Sequence, residues 1–304
     1  MSSLLVLLTT LACTSLAAPS PYRSAGYRPA HGNTRHRQIN TTATPQCPIL
    51  LDGRVPTNAT LASFDVANGI FNPDYVKGNN VTWSQILEEP QGALASKFDG
   101  APEHRPIEVT INDDSIFQKQ YGFRRAGLQF AADSANDTSD SGVVTMHWSV
   151  KQDWEKPLNL SHEYLNVWHE AADYSANQFN FNTGHRIGTN GTDKLSWQLL
   201  GRDSNLLWST PIDFTNWQNF ALTLDYVANT LTIYTSKNEE PLEEAGGPFT
   251  NDNSGAGQFQ IGILKKSTGS DDVVNSGFQE SNFKEGQIYG GIFVENSANG
   301  CISL

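Results

Sequence analysis

What most limits the fold of this chain is its succession of short segments in which apolar and polar residues alternate or β-branched and aromatic residues crowd together. Residues 107–111, 143–150, 163–168, 195–199, 220–226, 231–234, 259–264 and 288–294 have this character, and each reads as a strand. The clearest hairpin joins 220–226 to 231–234. There Leu222, Leu224 and Tyr226 share one face and Asn229 is suited to the turn, because asparagine tolerates left-handed backbone. No segment holds apolar residues at helical spacing over three turns, and the best short helix is 83–87 behind a cap at Thr82. The pattern predicts an all-β fold, a two-sheet antiparallel sandwich of β-jelly-roll (concanavalin-like) type. Such a sandwich can offer one sheet as a long groove. The seven tryptophans could line it, although tryptophan more often packs in a core.

The ends of the chain speak to compartment. An apolar run over 4–11 followed by Ser15-Leu16-Ala17-Ala18 has the layout of a secretory signal peptide over 1–18. Residues 19–45 are rich in Pro, Ser, Gly, Arg and Thr, contain no acidic residue, and read as a disordered leader or propeptide. One domain is expected over 46–304, with no repeat and no second linker. Of three cysteines Cys13 goes with the signal, so Cys47 and Cys301 are the expected disulfide. Sequons at Asn40, Asn58, Asn80, Asn136, Asn159 and Asn190 must be exposed if they carry glycan. A secreted, extracellular glycoprotein follows.

The chain carries 20 basic and 32 acidic residues, and without the four arginines of the leader the formal charge is −16. A surface of that sign repels nucleic acid and anionic lipid, and no later stretch approaches the ~20 apolar residues of a membrane helix. Neither nucleic acid nor membrane is therefore an expected partner, a neutral polysaccharide is unaffected by the field, and a monomer is the default state.

Glycoside hydrolysis usually needs two carboxyl groups about 5 to 9.5 Å apart across the scissile bond, so carboxylates on strands are the informative ones. The richest segment is 158–170, with His162, Glu163, His169 and Glu170. Strict alternation puts Glu163, Leu165, Val167 and His169 on one face and His162, Tyr164, Asn166 and Trp168 on the other. The two histidines stand seven apart on a strand, not four apart on a helix with Glu after the first, so no zinc-protease site and no cofactor is expected. A second segment, 121–130, puts Arg125 and Gln129 on one face with Phe123 and Gly127, and Arg124, Ala126, Leu128 and Phe130 on the other. Arg125 could orient a carboxylate or bond sugar hydroxyls, or it could blunt an exposed edge strand.

Several stretches resemble glycoside hydrolase family 131: Cys47-Pro-Ile-Leu-Leu-Asp-Gly-Arg-Val-Pro56, Phe71-Asn-Pro-Asp-Tyr75, Ile107-Glu-Val-Thr-Ile111, Ser115-Ile-Phe117, Gly122-Phe-Arg-Arg-Ala126, Pro157-Leu-Asn-Leu-Ser-His-Glu-Tyr164, Tyr289-Gly-Gly-Ile-Phe293 and Gly300-Cys-Ile-Ser-Leu304. They run in order through 46–304. The resemblance implies a β-jelly-roll catalytic domain acting on β-1,3-, β-1,6- and β-1,4-linked glucans. It also implies a catalytic glutamate in the Ser-His-Glu-Tyr strand, which is Glu163 here, and a second directly after Phe-Arg-Arg-Ala, where this chain has Gly127. Glycine neither donates a proton nor carries charge. Either Glu108 or Asp133 replaces the missing acid, or the substrate assists, or the chain has become a β-glucan-binding protein. Arg125, Gln129, His162 and His169 are the expected sugar-positioning residues beside Glu163.

Overall fold

A computed structural model describes residues 44–189 and 193–304, all within one unit. The expected signal, all but the last two residues of the leader, and the sequons at Asn40 and Asn190 lie outside the described residues.

In chain order the strands are β1 (Ile49–Asp52), β2 (Val55–Pro56), β3 (Leu87–Glu88), β4 (His104–Arg105), β5 (Ile107–Asn112), β6 (Arg124–Gln129), β7 (Val143–Gln152) and β8 (Glu163–Glu170). They continue as β9 (Asn177–Gly184), β10 (Ser196–Gly201), β11 (Leu206–Pro211), β12 (Gln218–Asp225), β13 (Thr230–Lys237), β14 (Glu243–Thr250), β15 (Gln258–Lys265) and β16 (Lys284–Asn296). One sheet runs β14-β13-β12-β7-β16-β5-β3, with β1 also on β16. The other runs β11-β10-β9-β8-β15-β6, and β2 pairs with β4 apart from both. The large-sheet and six-stranded-sheet pairings are antiparallel, as expected for the sandwich.

The hairpin forms as β12 and β13 with Leu222 opposite Ile233 and Asp225 opposite Thr230. Asn229 takes the left-handed turn position at φ 53°, and Asp225 Oδ1 accepts from the amides of Val227 and Ala228. The short helix is α1 (Trp83–Ile86), where the Thr82 amide donates to the Gln85 side chain.

Between the sheets lies the main core. Trp148 of the large sheet meets Phe181 at 5.0 Å, and Phe181 in turn contacts Trp197 and Phe220. Burying side chains of this size is worth about 1.5–3 kcal/mol each before entropy is counted. Four of the seven tryptophans, Trp83, Trp148, Trp168 and Trp197, are fully buried, whereas Trp154 stands out in solvent. Cys47 and Cys301 are bonded, closing a loop of 254 residues. In the chain-entropy account that restraint on the unfolded state is worth up to about 5 kcal/mol.

Strict alternation fails in one place that matters. Against β9, Leu165 pairs with Asn182 and Val167 with Phe181, so β8 carries one extra residue at Asn166. That is a β-bulge, and it turns two successive side chains inward. Asn166 points to the Tyr289 hydroxyl, and Val167 packs in the core. Beyond it the faces exchange: Glu163, Leu165, Trp168 and Glu170 share the outer face, while Tyr164 and His169 go inward. The expected grouping of Glu163 with Val167 and His169 is corrected accordingly. On β15 a matching irregularity falls at Gly262, where an added Cβ would stand 2.1 Å from the Ala126 carbonyl oxygen, so only glycine permits the close approach of β6.

Candidate active site

The outer face of the six-stranded sheet carries a cleft of about 750 Å³ that crosses from Arg125 on β6, over Glu163, Trp168 and Glu170 on β8, to Asn180 and Asn182 on β9. Alternation explains β9: Phe179 and Phe181 go into the core, and the asparagines between and beyond them face out. A second hollow of about 660 Å³ adjoins it, and the two share Gln120, Arg125 and Glu170. The groove is thus continuous, with those three residues at its joint.

Glu163 lies at the start of β8, buried on the floor of the first hollow. Its Oε1 accepts from Lys266 Nζ at 2.7 Å and Asn182 Nδ2 at 3.0 Å, and its Oε2 accepts from the Ile187 amide at 2.8 Å. Held by three donors, the carboxylate has the geometry of a base or nucleophile rather than of a proton donor. Lys266 is itself steadied from behind, since His162 Nδ1 lies 2.7 Å from the Lys266 carbonyl oxygen. His162 also has Nε2 at 3.1 Å from Glu280, so it sits behind Glu163 and does not line the groove.

At the joint, Arg125 is buried between the rings of Phe117 and Trp168, its guanidinium carbon 5.7 and 5.8 Å from their centres. It donates to Gln120 Oε1 and Gln260 Oε1, and Gln260 Nε2 donates to Glu170 Oε2 at 2.7 Å. Burial pushes the guanidinium down to about 10 while Glu170 pulls the other way, which leaves it charged at neutral pH. Gln129 lines the second hollow and donates to Gln258 at 3.4 Å.

His169 is fully buried on the opposite face, edge-on to Phe259 at 4.2 Å with Nε2 3.2 Å from Asp140, and burial pushes its imidazole down. Glu108 belongs to the other sheet and a separate hollow of about 280 Å³. Burial and then the neighbouring Asp153 push its carboxyl up to about 8. Asp133 accepts from the Phe259 amide at 2.9 Å and lines neither hollow of the groove. With Asp137 and Asp140 it forms a three-carboxylate group whose nearest oxygens lie within 4.8 Å of one another. Hydroxyls and amides of Ser134 and Ser139 already occupy Asp137.

The acids lining the groove among the described residues are therefore Glu163 and Glu170. Seven residues of strand at about 3.3 Å each, less the bulge, set them about 20 Å apart, well beyond the span of a catalytic pair. Gly127 faces the groove from β6, where an added Cβ would meet Gln260 Oε1 at 2.9 Å and the Trp168 ring at 3.0 Å. The space beside Gly127 is filled by its neighbours. Glu170 was noted in the sequence only as part of a His-Glu pair, and Lys266 was not singled out at all.

Residues 49–300 match the family described as glycoside hydrolase 131 catalytic N-terminal domain. Among solved structures, the GH131 β-glucanase catalytic domain from Podospora anserina superposes with a TM-score of 0.64 at 17% identity, covering 83% of this chain and 98% of that one. The catalytic domain of the family 131 protein from Coprinopsis cinerea gives 0.63 at 20% identity, covering 84% and 97%. No curated protein matches the chain.

Proposed function

Because the chain belongs to glycoside hydrolase family 131, we propose that it is a secreted glycoside hydrolase that takes a β-glucan chain along the groove and acts on it through Glu163. The observation that carries this reading is the seat of Glu163. It is the carboxylate on the groove floor that three converging donors orient, one of them a lysine ammonium. Arg125 and Gln129 bond sugar hydroxyls further along, and His162 acts at one remove by fixing the backbone of Lys266. Secretion is supported by the disulfide and by the exposure of Asn58, Asn80, Asn136 and Asn159. That the Podospora anserina neighbour is a β-glucanase supports the substrate class.

Gly127, backed by Trp168 and Gln260, favours a second reading in which the groove holds β-glucan without turning it over. General acid or base assistance is worth about 10² to 10⁴ in rate, so one carboxylate without a partner leaves slow hydrolysis at best. Reducing-sugar release from laminarin, pustulan and barley glucan separates the readings. Activity that Glu163→Gln abolishes establishes the hydrolase. An inert protein retarded by glucan in affinity gels, with turnover gained in Gly127→Glu, establishes the binder. Neither release nor retardation, from folded protein, ends both.

A further inference from the structure

The second hollow differs chemically from the seat of Glu163. Its lining is carboxamide and aromatic: Gln118, Gln129 and Gln258 alternate with Tyr75, Phe117 and Tyr174, and charge enters only at the joint through Arg125 and Glu170. Carboxamides both donate and accept, so they match a ligand whose rim is all hydroxyl, whereas an ionic polymer would call for fixed charges.

The tyrosines add a second observation. Tyr75 is 51% exposed and Tyr174 78% exposed, in a protein that buries most of its large aromatics. Tyr174 is also held in left-handed backbone at φ 59°, in a turn closed by its own amide to the Ala171 carbonyl at 2.8 Å and the Ala171 amide to the Ala176 carbonyl at 3.0 Å. For a bulky side chain that conformation is strained, and exposure of the ring recovers none of the cost through burial. The fold thus bears a backbone cost to set an aromatic face at the rim of a hydroxyl-matching hollow.

We propose that this second hollow is a distal sugar-binding site, in which Tyr75 and Tyr174 stack on glucosyl rings of a chain whose other part lies over Glu163. The inference rests on the β-glucan reading above and adds to it a dependence on chain length. With about 20 Å between Glu163 and Glu170 along β8, a short oligosaccharide seated at Glu163 does not reach Tyr174, which follows the end of that strand, while a polymer spans both. The continuity of the two hollows through Gln120, Arg125 and Glu170 gives the chain its path.

The test is affinity electrophoresis and calorimetry of the full secreted chain with laminarin, pustulan and barley glucan, each beside its own trisaccharide. Tyr75→Ala, Tyr174→Ala and the double variant are compared with wild type, and melting temperatures confirm that they fold. For the glucan that wild type holds best, the double variant should lower the ratio of polymer to trisaccharide affinity about tenfold, as two aromatic contacts of about 0.5–1.5 kcal/mol imply. Tyr174→Phe should restore most of its share. A ratio unchanged in the double variant, with polymer still bound, overturns the distal site and leaves the β-glucan reading standing. A wild type that ignores all three polymers overturns that reading and this inference together.

Discussion

The two ends of the groove are built from opposite materials. Around Glu163 the contacts are short and charged, with Lys266 at 2.7 Å and donors from β9 and the following loop converging on one carboxylate. Around Tyr174 they are neutral, carboxamides passing a hydrogen bond from Gln129 to Gln258 beneath exposed rings. Fixed charge in a buried seat favours chemistry, because the field is strong where water is scarce and the donors are already oriented. Amides and aromatics suit holding, because their contacts tolerate sliding and need no partner of fixed sign. On the proposed reading, reaction falls to one end and grip to the other.

Four measurements sharpen or break that division. The largest effect is expected from Glu163→Gln, which should lower glucan hydrolysis by about 10² to 10⁴ while retardation by the polymer persists. Glu170→Gln should lower it less than about tenfold, since Glu170 bonds Gln260 at the joint and stands about 20 Å away. Equal losses in the two variants would mean that the ends are not divided in function.

Next comes a pH effect at the far end. Burial pushes the Asp133 carboxyl up to about 7, and Asp140 and Asp137 add to this, whereas an unfolded aspartate titrates near about 3.9. Between those values the folded state holds a proton that the unfolded state has lost, so the stability this group contributes is full below about 4 and disappears as pH rises through about 7. Thermal unfolding should show a fall on the order of 2 kcal/mol between pH 5 and pH 8, and Asp133→Asn should flatten it. The strand it steadies is β15, through the Phe259 amide and the Gln258 side chain, so amide exchange there should quicken first. A wild-type curve flat over this range refutes the assignment.

The smallest effect concerns the floor between the ends. Gly127→Ala should lose about 1 kcal/mol in urea unfolding, the contacts with Gln260 and Trp168 outweighing the entropy gained by replacing glycine. A more stable variant would show that the floor has room for a larger side chain.

Much of this molecule was legible in the sequence where strands are amphipathic. β12 and β13 declare themselves through Leu222, Leu224, Leu231 and Ile233, which all enter the core. The alternation around Arg125 holds, with Ala126, Leu128 and Phe130 inward and Arg125 and Gln129 outward. Strand β9 escaped because asparagine has low strand propensity, although Phe179, Phe181 and the asparagines beside them keep the period. The edge strands β11 and β14 escaped because they bury one face at most, and β14 contains Gly246-Gly247-Pro248. Glu163, which the family motif singled out, lies on the groove floor. Its lysine was not legible, because Lys266 comes from a segment about a hundred residues away and only the sheet order brings β15 beside β8.

The extra residue at Asn166 acts on the strand as a phase slip acts on a wave: both halves keep their period, but no single frame describes the whole. The same eight residues in perfect alternation would send Glu170 inward and bring the imidazole of His169 out into the groove. Deleting Asn166 would remove the slip and leave Trp168 and Glu170 outward and Tyr164 and His169 inward, whereas closing the bulge with all eight residues kept would exchange inside for outside over the distal half. Relatives compared along this strand need to be matched in two frames, one on each side of position 166.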